Sequence, residues 1–390
     1  MKILQVHTRY RQAGGEDTIT REEAELLRRH GHEVIEHHAD NPQGPVSSIG
    51  ALAISAWNPT AAHEVREVVQ RRAPDIAHVY NTWYAMSPSV LPAIRGEGVP
   101  VVMTVQNYRH MCVNSALFRD GAPCEDCVGT HPWRGVWHRC YRDSALTSAV
   151  VAANISVHRA RGTWHRDVDL FLAPTDFAKE RFVAAGLPAP KIVVKPNFVA
   201  DPGPRSAPPS TSTEILYCGR LTAEKGITLL LDAWEAAGDT GLQLTVVGDG
   251  PLRAGLEARK PPRATFTGYL PPEETRGRML AARALAFPSM WYEGQPLVIL
   301  EALAAGLPVL TADLGGMSDI AAALGGVWQV APGNPSSWTS ALQRLDDTTV
   351  DEGGAAARKL YDERFAPPAA LSALESLYES VLTSGRLGSE

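Results

Sequence analysis

Short apolar runs alternate with amphipathic stretches along nearly the whole chain. Runs at Lys2 to Val6, Glu33 to Glu36, Ile76 to Val79, Val101 to Val105, Leu170 to Ala173 and Ile192 to Val194 predict strands in the first half. A second series falls at Ile215 to Tyr217, Gln243 to Val247, Thr265 to Thr267, Ala284 to Phe287 and Pro308 to Thr311. The segments between them carry the three-to-four-residue apolar spacing of helices. Strands that alternate with helices predict α/β domains built on parallel sheets. Between the two series, ADPGPRSAPPSTST (200–213) is rich in Pro and Ser and has no apolar period, which predicts a linker. The expected layout is an N-terminal domain over 1–198, a linker over 199–213, a C-terminal domain over 214–366 and a final helix within 367–390. That helix carries Leu371, Leu374, Leu377, Tyr378 and Leu382 at helical spacing.

Composition narrows the class. A chain of 390 residues is too long for one ordinary core and suits two domains. With 44% hydrophobic residues and a net charge of −6, it has no overall attraction to nucleic acid. It begins with the strand MKILQV, without the basic region and apolar run of a secretory signal. No apolar run approaches the roughly 20 residues needed to span a bilayer. The expectation is a cytoplasmic protein. One local exception is residues 131–166, which hold six Arg, one acidic residue and Trp133, Trp137 and Trp164. A solvated basic face over core tryptophans is the first reading. A peripheral contact with an anionic lipid face or a lipid-linked acceptor is the other.

Two segments carry candidate chemistry. In FPSMWYEGQPLVILEALAAGLPVL (287–310), Pro296 suits the first turn of a helix that Leu297, Val298, Ile299, Leu300, Ala302 and Leu303 would bury. The free N–H groups of such a helix start favour a phosphate. Glu293 precedes it, within reach of sugar hydroxyls, and Glu301 lies inside it, where it can accept from a diol such as a ribose. In ILYCGRLTAEKGITLLLDAW (215–234), Gly219 and Arg220 end a strand, and Lys225 and Gly226 precede a helix. Two cations at the carboxyl end of a strand suit a diphosphate. Read alone, the first segment is equally a buried helix with incidental acids, and either cation of the second is first a residue of a solvated basic turn.

Together, GRLTAEKG and EGQPLVILE resemble the donor-binding half of the retaining glycosyltransferases of family 4. The resemblance implies a GT-B fold, two Rossmann-like domains with parallel sheets facing across a cleft. It implies that Arg220, Lys225 and Glu293 are catalytic. A UDP-sugar or GDP-sugar would be held by Gly15, Gln106, Gly219, Tyr269, Leu270, Gly294, Gln295, Pro296, Leu297, Val298 and Glu301. The sugar would pass with retention, and without a catalytic metal, to a hydroxyl of a saccharide, lipid-linked saccharide or natural product. MKILQVHTRYRQAGGEDT resembles the family's first strand and glycine loop, so Gly14 and Gly15 would bring N–H groups near a phosphate or acceptor. VKPNFV resembles the segment that closes the first domain, while VVGDGPL and FTGYLPPEE resemble loops flanking the nucleotide. The final helix would cross back to the N-terminal domain. Gln106 departs from the pattern, since many relatives carry a His there, and Asn107, Tyr108 and Arg109 are further candidate contacts. Asp167 and Asp169 spell the DxD of a metal-dependent glycosyltransferase fold, but they open a strand far from the phosphate motifs. A nucleotide-sugar epimerase or hydrolase on the same fold and a non-enzymatic zinc-stabilised interaction protein are the alternatives.

Cys112, Cys124, Cys127 and Cys140 form C-x11-C-x2-C-x12-C. In a reducing compartment this spacing predicts a closed, tetrahedral structural zinc site, with disulfides, unligated thiols or an iron–sulfur cluster as alternatives. The surrounding sequence, about 107–142, resembles an insertion found in a subset of the family. Zinc there would order a loop and imply no chemistry at the metal.

Overall fold

The computed structural model describes residues 1–11, 14–41, 54–325 and 328–387, with the side chains of 385–387 left aside. The chain forms two compact units. Unit 1 comprises Met1–Leu117, Cys124–Pro196 and Leu371–Glu390, and unit 2 comprises Phe118–Pro123 and Asn197–Ala370.

Unit 1 is laid down as β1 (Lys2–Arg9), α1 (Gly15–Arg29), β2 (Glu33–Asp40), α2 (Pro59–Arg72), β3 (Ile76–Val79), α3 (Val90–Arg95) and β4 (Val101–Thr104). The small hairpin β5 (Phe118–Arg119) and β6 (Ala122–Pro123) interrupts it. It then resumes with α4 (Arg134–Trp137), α5 (Ala145–Arg161), α6 (Thr163–Arg166), β7 (Leu170–Ala173), α7 (Asp176–Ala184) and β8 (Ile192–Val194). The sheet order is β2-β1-β3-β4-β7-β8, and every pairing is parallel. β3, β4 and β7 are buried at every position, as strands covered by helices on both faces must be.

Unit 2 follows as β9 (Glu214–Cys218), α8 (Ile227–Ala236), β10 (Gln243–Val247), α9 (Arg253–Ala258), β11 (Ala264–Gly268), α10 (Pro272–Ala281), β12 (Ala284–Phe287) and α11 (Leu297–Ala304). β13 (Val309–Ala312), α12 (Gly316–Ala323), β14 (Gln329–Val330), α13 (Pro335–Gln343) and α14 (Asp347–Arg364) complete it. Its sheet is also parallel, in the order β11-β10-β9-β12-β13-β14. Its core joins Ile215, Leu216, Leu230, Leu285, Ile299, Leu303 and Val309, all essentially inaccessible.

Each sheet reverses its winding once. In unit 2 the reversal lies between β9 and β12, and in unit 1 between β1 and β3. The crevice beyond the carboxyl ends of those strands is where open α/β sheets place ligands. The parallel sheets are those expected from the alternating pattern, and the two-domain, Rossmann-like GT-B architecture is the one the resemblance implied.

The last helix, α15 (Pro367–Leu387), belongs to unit 1 from Leu371 onward. Leu374, Tyr378 and Val381 pack with Ile3, Ile76, Val102 and Leu172. Tyr378 Oη lies 2.7 Å from His78 Nδ1, and His32 Nε2 lies 2.8 Å from Glu375. Burial lowers the His78 pKa to about 3, so this imidazole stays neutral. Lys195 donates to Glu23 in a fully buried pair that ties the end of β8 to α1, and Tyr80 Oη donates to the other Glu23 oxygen at 2.5 Å.

Candidate functional site

At the reversal point of unit 2 the turn after β9 meets the turn after β12. Lys225 Nζ donates to Glu293 Oε1 at 2.6 Å, and Ser289 Oγ donates to the same oxygen at 2.7 Å. The two charged side chains are only 15% and 8% exposed. The ammonium also lies 4.9 Å from the centroid of the Trp291 ring, a cation–π distance. The backbone knits the same corner, because Met290 N donates to Glu224 O at 2.9 Å. Gly226, between Lys225 and α8, adopts φ +71°, and a Cβ there would fall 2.0 Å from Pro288 O. A side chain at 226 would therefore push the two turns apart. Gly248 at the end of β10 has the same constraint, with φ +137° and a would-be Cβ 1.9 Å from Gly219 O.

The remaining positions of unit 2 arrange themselves around this pair. Arg220 extends from the β9 end with its side chain 64% exposed, loosely paired with Glu224 at 3.8 Å. Gly219, before it, hydrogen-bonds through its N–H to Val247 O. Gln295 is buried and its Oε1 accepts from Asn197 N at 2.6 Å. Gly294 precedes it, and Pro296 caps α11, so Leu297 rather than Pro296 is the first helical residue. Leu297 and Val298 are half-buried in the first turn, packed on the core, where N–H groups lack intrahelical acceptors. Glu301 lies little more than one turn into α11. Burial raises its carboxyl pKa, opposed by nearby Arg276. Tyr269 follows β11 and is 73% exposed, and Leu270 packs against the core.

Sequence reasoning missed Ser289 and Trp291, which hold Glu293 and Lys225 in place. Both stand within four residues of Glu293 in PSMWYEG, which was the available signal. A concavity of unit 2, about 720 Å³, lies at the other end of α11, among Asp201, Arg205, Gly306 and Arg358. Its charges are already engaged, with Arg358 donating to both Asp201 oxygens at 2.6 and 2.8 Å. None of the residues singled out above lines it.

Unit 1 places Gly15 at the first position of α1. The Gly14 N–H is donated to Asp17 Oδ2 at 2.8 Å, and Tyr10 N donates to Asp17 Oδ1 at 3.2 Å. The loop is thus shaped by its own aspartate, and the Gly14 N–H is engaged within it rather than open toward a ligand. Next to it, Glu16 is buried. Tyr10 Oη donates to it at 2.5 Å and Asn107 Nδ2 at 3.5 Å, while burial raises its pKa to about 7. Glu16, Gln106, Asn107, Thr82 and His110 line a cavity of about 40 Å³ at the carboxyl ends of β3 and β4, room for a water or two. Arg109 stacks 4.7 Å over Trp83 and donates to Ser115 Oγ at 2.9 Å, a role in holding the loop. Buried Tyr108 packs on Phe182. Asp169 accepts from Val101 N and pairs with Arg95, consistent with its reading as a strand start.

The expected structural zinc is not supported. Among the described residues no group of three or more His, Cys, Asp or Glu side chains is placed to hold a metal ion, and Cys112, Cys124, Cys127 and Cys140 form no disulfide. Burial, then the neighbouring Cys112 thiol, then Cys140 and Cys124, push the Cys127 thiol up to about 11. The four sulfurs share a neighbourhood without forming a ligand set. The segment is held by other means. Cys112 Sγ donates to Asn114 Oδ1 at 2.9 Å, Arg181 donates to both Glu125 oxygens at 2.8 Å, and Arg159 donates to Thr130 O at 2.6 Å.

Comparisons with known proteins agree with this architecture. Residues 14–197 match the glycosyl transferase 4-like domain, and residues 212–347 match the domain of glycosyl transferases group 1. The chain is 29% identical over 305 residues to the 2-deoxystreptamine glucosyltransferase of Streptomyces kanamyceticus, covering 75% of this chain and 73% of that protein. It is 39% identical over 100 residues to a putative teichuronic acid biosynthesis glycosyltransferase of Bacillus subtilis. That match covers 26% of this chain and only 24% of that protein. The fold is similar to that of Anabaena HepE solved with UDP-glucose, with a TM-score of 0.66 and 18% identity over 97% of this chain and 100% of that one. With a glycosyl transferase 4-like domain followed by a group 1 domain on two Rossmann-like sheets, the chain belongs to the GT-B glycosyltransferases of the family 4 type.

Proposed function

We propose that this protein is a retaining glycosyltransferase that moves a sugar from a nucleoside-diphosphate sugar to a hydroxyl acceptor. The observation that carries the reading is the Lys225–Glu293 pair at the reversal point of unit 2, beside the start of α11. A buried cation and a buried carboxylate held side by side give one group for a diphosphate and one for sugar hydroxyls.

In this reading Lys225 and the exposed Arg220 stabilise the charge that grows on the leaving β-phosphate. The first-turn N–H groups at Leu297 and Val298 add the positive end of the α11 dipole. These groups supply the neutralisation, and the reading includes no catalytic metal. Glu293, with the backbone at Gly294 and Gln295, orients the sugar as its ring flattens. Glu301 accepts from the ribose, with Gly219, Tyr269 and Leu270 around the nucleoside. For retention, the departing phosphate oxygen takes the acceptor's proton on the face it leaves, so no protein base is required.

The donor is a UDP-sugar or GDP-sugar, and the acceptor a saccharide, lipid-linked saccharide or natural product. The names of the relatives support this range, since one glucosylates 2-deoxystreptamine and a solved neighbour was crystallised with UDP-glucose. A panel of nucleotide sugars screened for thermal stabilisation identifies the donor, because a ligand bound to the folded state raises its midpoint. Proton NMR of the product then reads the anomeric configuration. An inverted product would overturn retention.

A further inference from the structure

Unit 1 leaves an unusual surface open on α4 and α5. Trp133 and Trp137, one helical turn apart, are 48% and 85% exposed, and Leu146 in the first turn of α5 is 77% exposed. The inner sides of these two helices are ordinary core, because Val136 and Val150 pack against Trp83, Val151, Ala152 and Ile155. The outer side of α5 is not ordinary. From Ala145 through His158 the helix has no Asp, Glu, Lys or Arg, although Leu146 and Val157, eleven residues apart and so on one face, both point outward. A solvated helix face normally carries charge.

The charge sits at the margin, and all of it but Asp143 is positive. Arg134, Arg139 and Arg142 are exposed around the α4 to α5 turn. At the far end of α5, Arg161 stacks 4.4 Å over the exposed Trp57. Asp143 is the one acidic residue between positions 131 and 166, in a chain whose net charge is −6. Positive charge is therefore gathered here against the trend of the molecule. Indole rings that combine an apolar body with a polar N–H favour the boundary between water and hydrocarbon. No helix among the described residues is long and apolar enough to cross a membrane, so an attachment through this surface would be peripheral.

We propose that the α4–α5 surface docks on a membrane rich in anionic lipid. Trp133, Trp137 and Leu146 enter the headgroup region, and Arg134, Arg139 and Arg142 meet lipid phosphates. Apolar insertion and attraction to anionic headgroups act together in such binding, and the electrostatic part weakens with salt.

The test is sedimentation of the full chain with vesicles of phosphatidylcholine alone, or with about one third phosphatidylglycerol added to give the surface a negative potential. Binding to the anionic vesicles only, released by salt, is the expected result. Trp137→Ser with Leu146→Ser should lower partitioning about tenfold or more, the scale of removing two buried apolar side chains. Each of Arg134→Ser, Arg139→Ser and Arg142→Ser should lower it about fivefold, the effect of one charge near an anionic surface. If the apolar double variant does not fold, the arginine series carries the test by itself. Calorimetry with UDP and GDP, which reports on unit 2, should be unchanged in every folded variant. Absence of binding to anionic vesicles, or equal binding to neutral ones, overturns the proposal. Light scattering that shows a dimer lost in the Trp137→Ser variant also overturns it and makes the surface an interface between two copies.

Discussion

Replacing Lys225 by Ala is the most informative single perturbation, because it acts on folding and on chemistry through one contact. The change strips Glu293 of the ammonium at 2.6 Å and leaves the carboxylate 8% exposed, with Ser289 Oγ at 2.7 Å but no counter-charge. Breaking a buried pair costs about 3–5 kcal/mol. Lys225 is 15% exposed, which admits some water and favours the lower end, about 3 kcal/mol. For a domain of this size that corresponds to a fall in the unfolding midpoint of about 6–12 °C. Neutralising the stranded acid should restore much of it, so Lys225→Ala with Glu293→Gln should unfold well above Lys225→Ala alone. The shortfall from additivity should be about 1–3 kcal/mol. Turnover should fall about 10²- to 10³-fold in both variants, as expected when a charge contact to the leaving diphosphate is lost. Differential scanning calorimetry and initial-rate kinetics with the identified donor measure the two effects. A Lys225→Ala protein with an unchanged midpoint and a rate within twofold of wild type would refute the reasoning.

Further outcomes follow from the same geometry. Glu301→Ala should raise the donor KM more than it lowers kcat, because the ribose is remote from the breaking bond, whereas Glu293→Ala should lower kcat more than it raises KM. Initial rates at saturating acceptor decide between these patterns, and the reverse pattern would exchange the two roles. Lys195→Ala should destabilise unit 1 by about 3–5 kcal/mol in thermal unfolding, since Glu23 would stay buried without its partner. Glu16, whose pKa is raised to about 7 by burial, binds a proton more tightly folded than unfolded. Its contribution to stability is therefore fully present below about pH 4.5 and is lost as pH rises through about 7. The stability of wild type relative to Glu16→Gln should decline across that window in urea melts, and a flat difference would contradict the assignment.

The strands were legible because parallel strands covered on both faces must be apolar throughout. ALAF of β12 and LFLA of β7 read as such without any partner in view. The hairpin β5–β6 and the two-residue β14 were not read from the sequence, since elements so short carry no period. Lys225 and Glu293 were found 68 positions apart because each sits in a recognisable turn. Their supports, Ser289 and Trp291, needed the fold to bring the β9 and β12 turns together. Glu16 looked like an ordinary acid in a first helical turn, and its burial under Tyr10 depends on the path of a loop that composition does not encode. The cysteines show the opposite failure. Their spacing suits a metal, yet the backbone between them places Cys112 Sγ on Asn114 and holds the segment through Arg181 and Arg159 instead.

The central claim is that unit 2 holds a nucleoside diphosphate at the turn between β9 and α8. Isothermal titration of UDP and GDP into wild type and into Arg220→Ala with Lys225→Ala tests it without knowledge of the acceptor. The account predicts saturable binding of at least one diphosphate by wild type, weakened about a hundredfold or more in the double variant, as the loss of two charge-assisted contacts implies. Equal affinity in the two proteins, or no binding of either nucleotide to wild type, would contradict it.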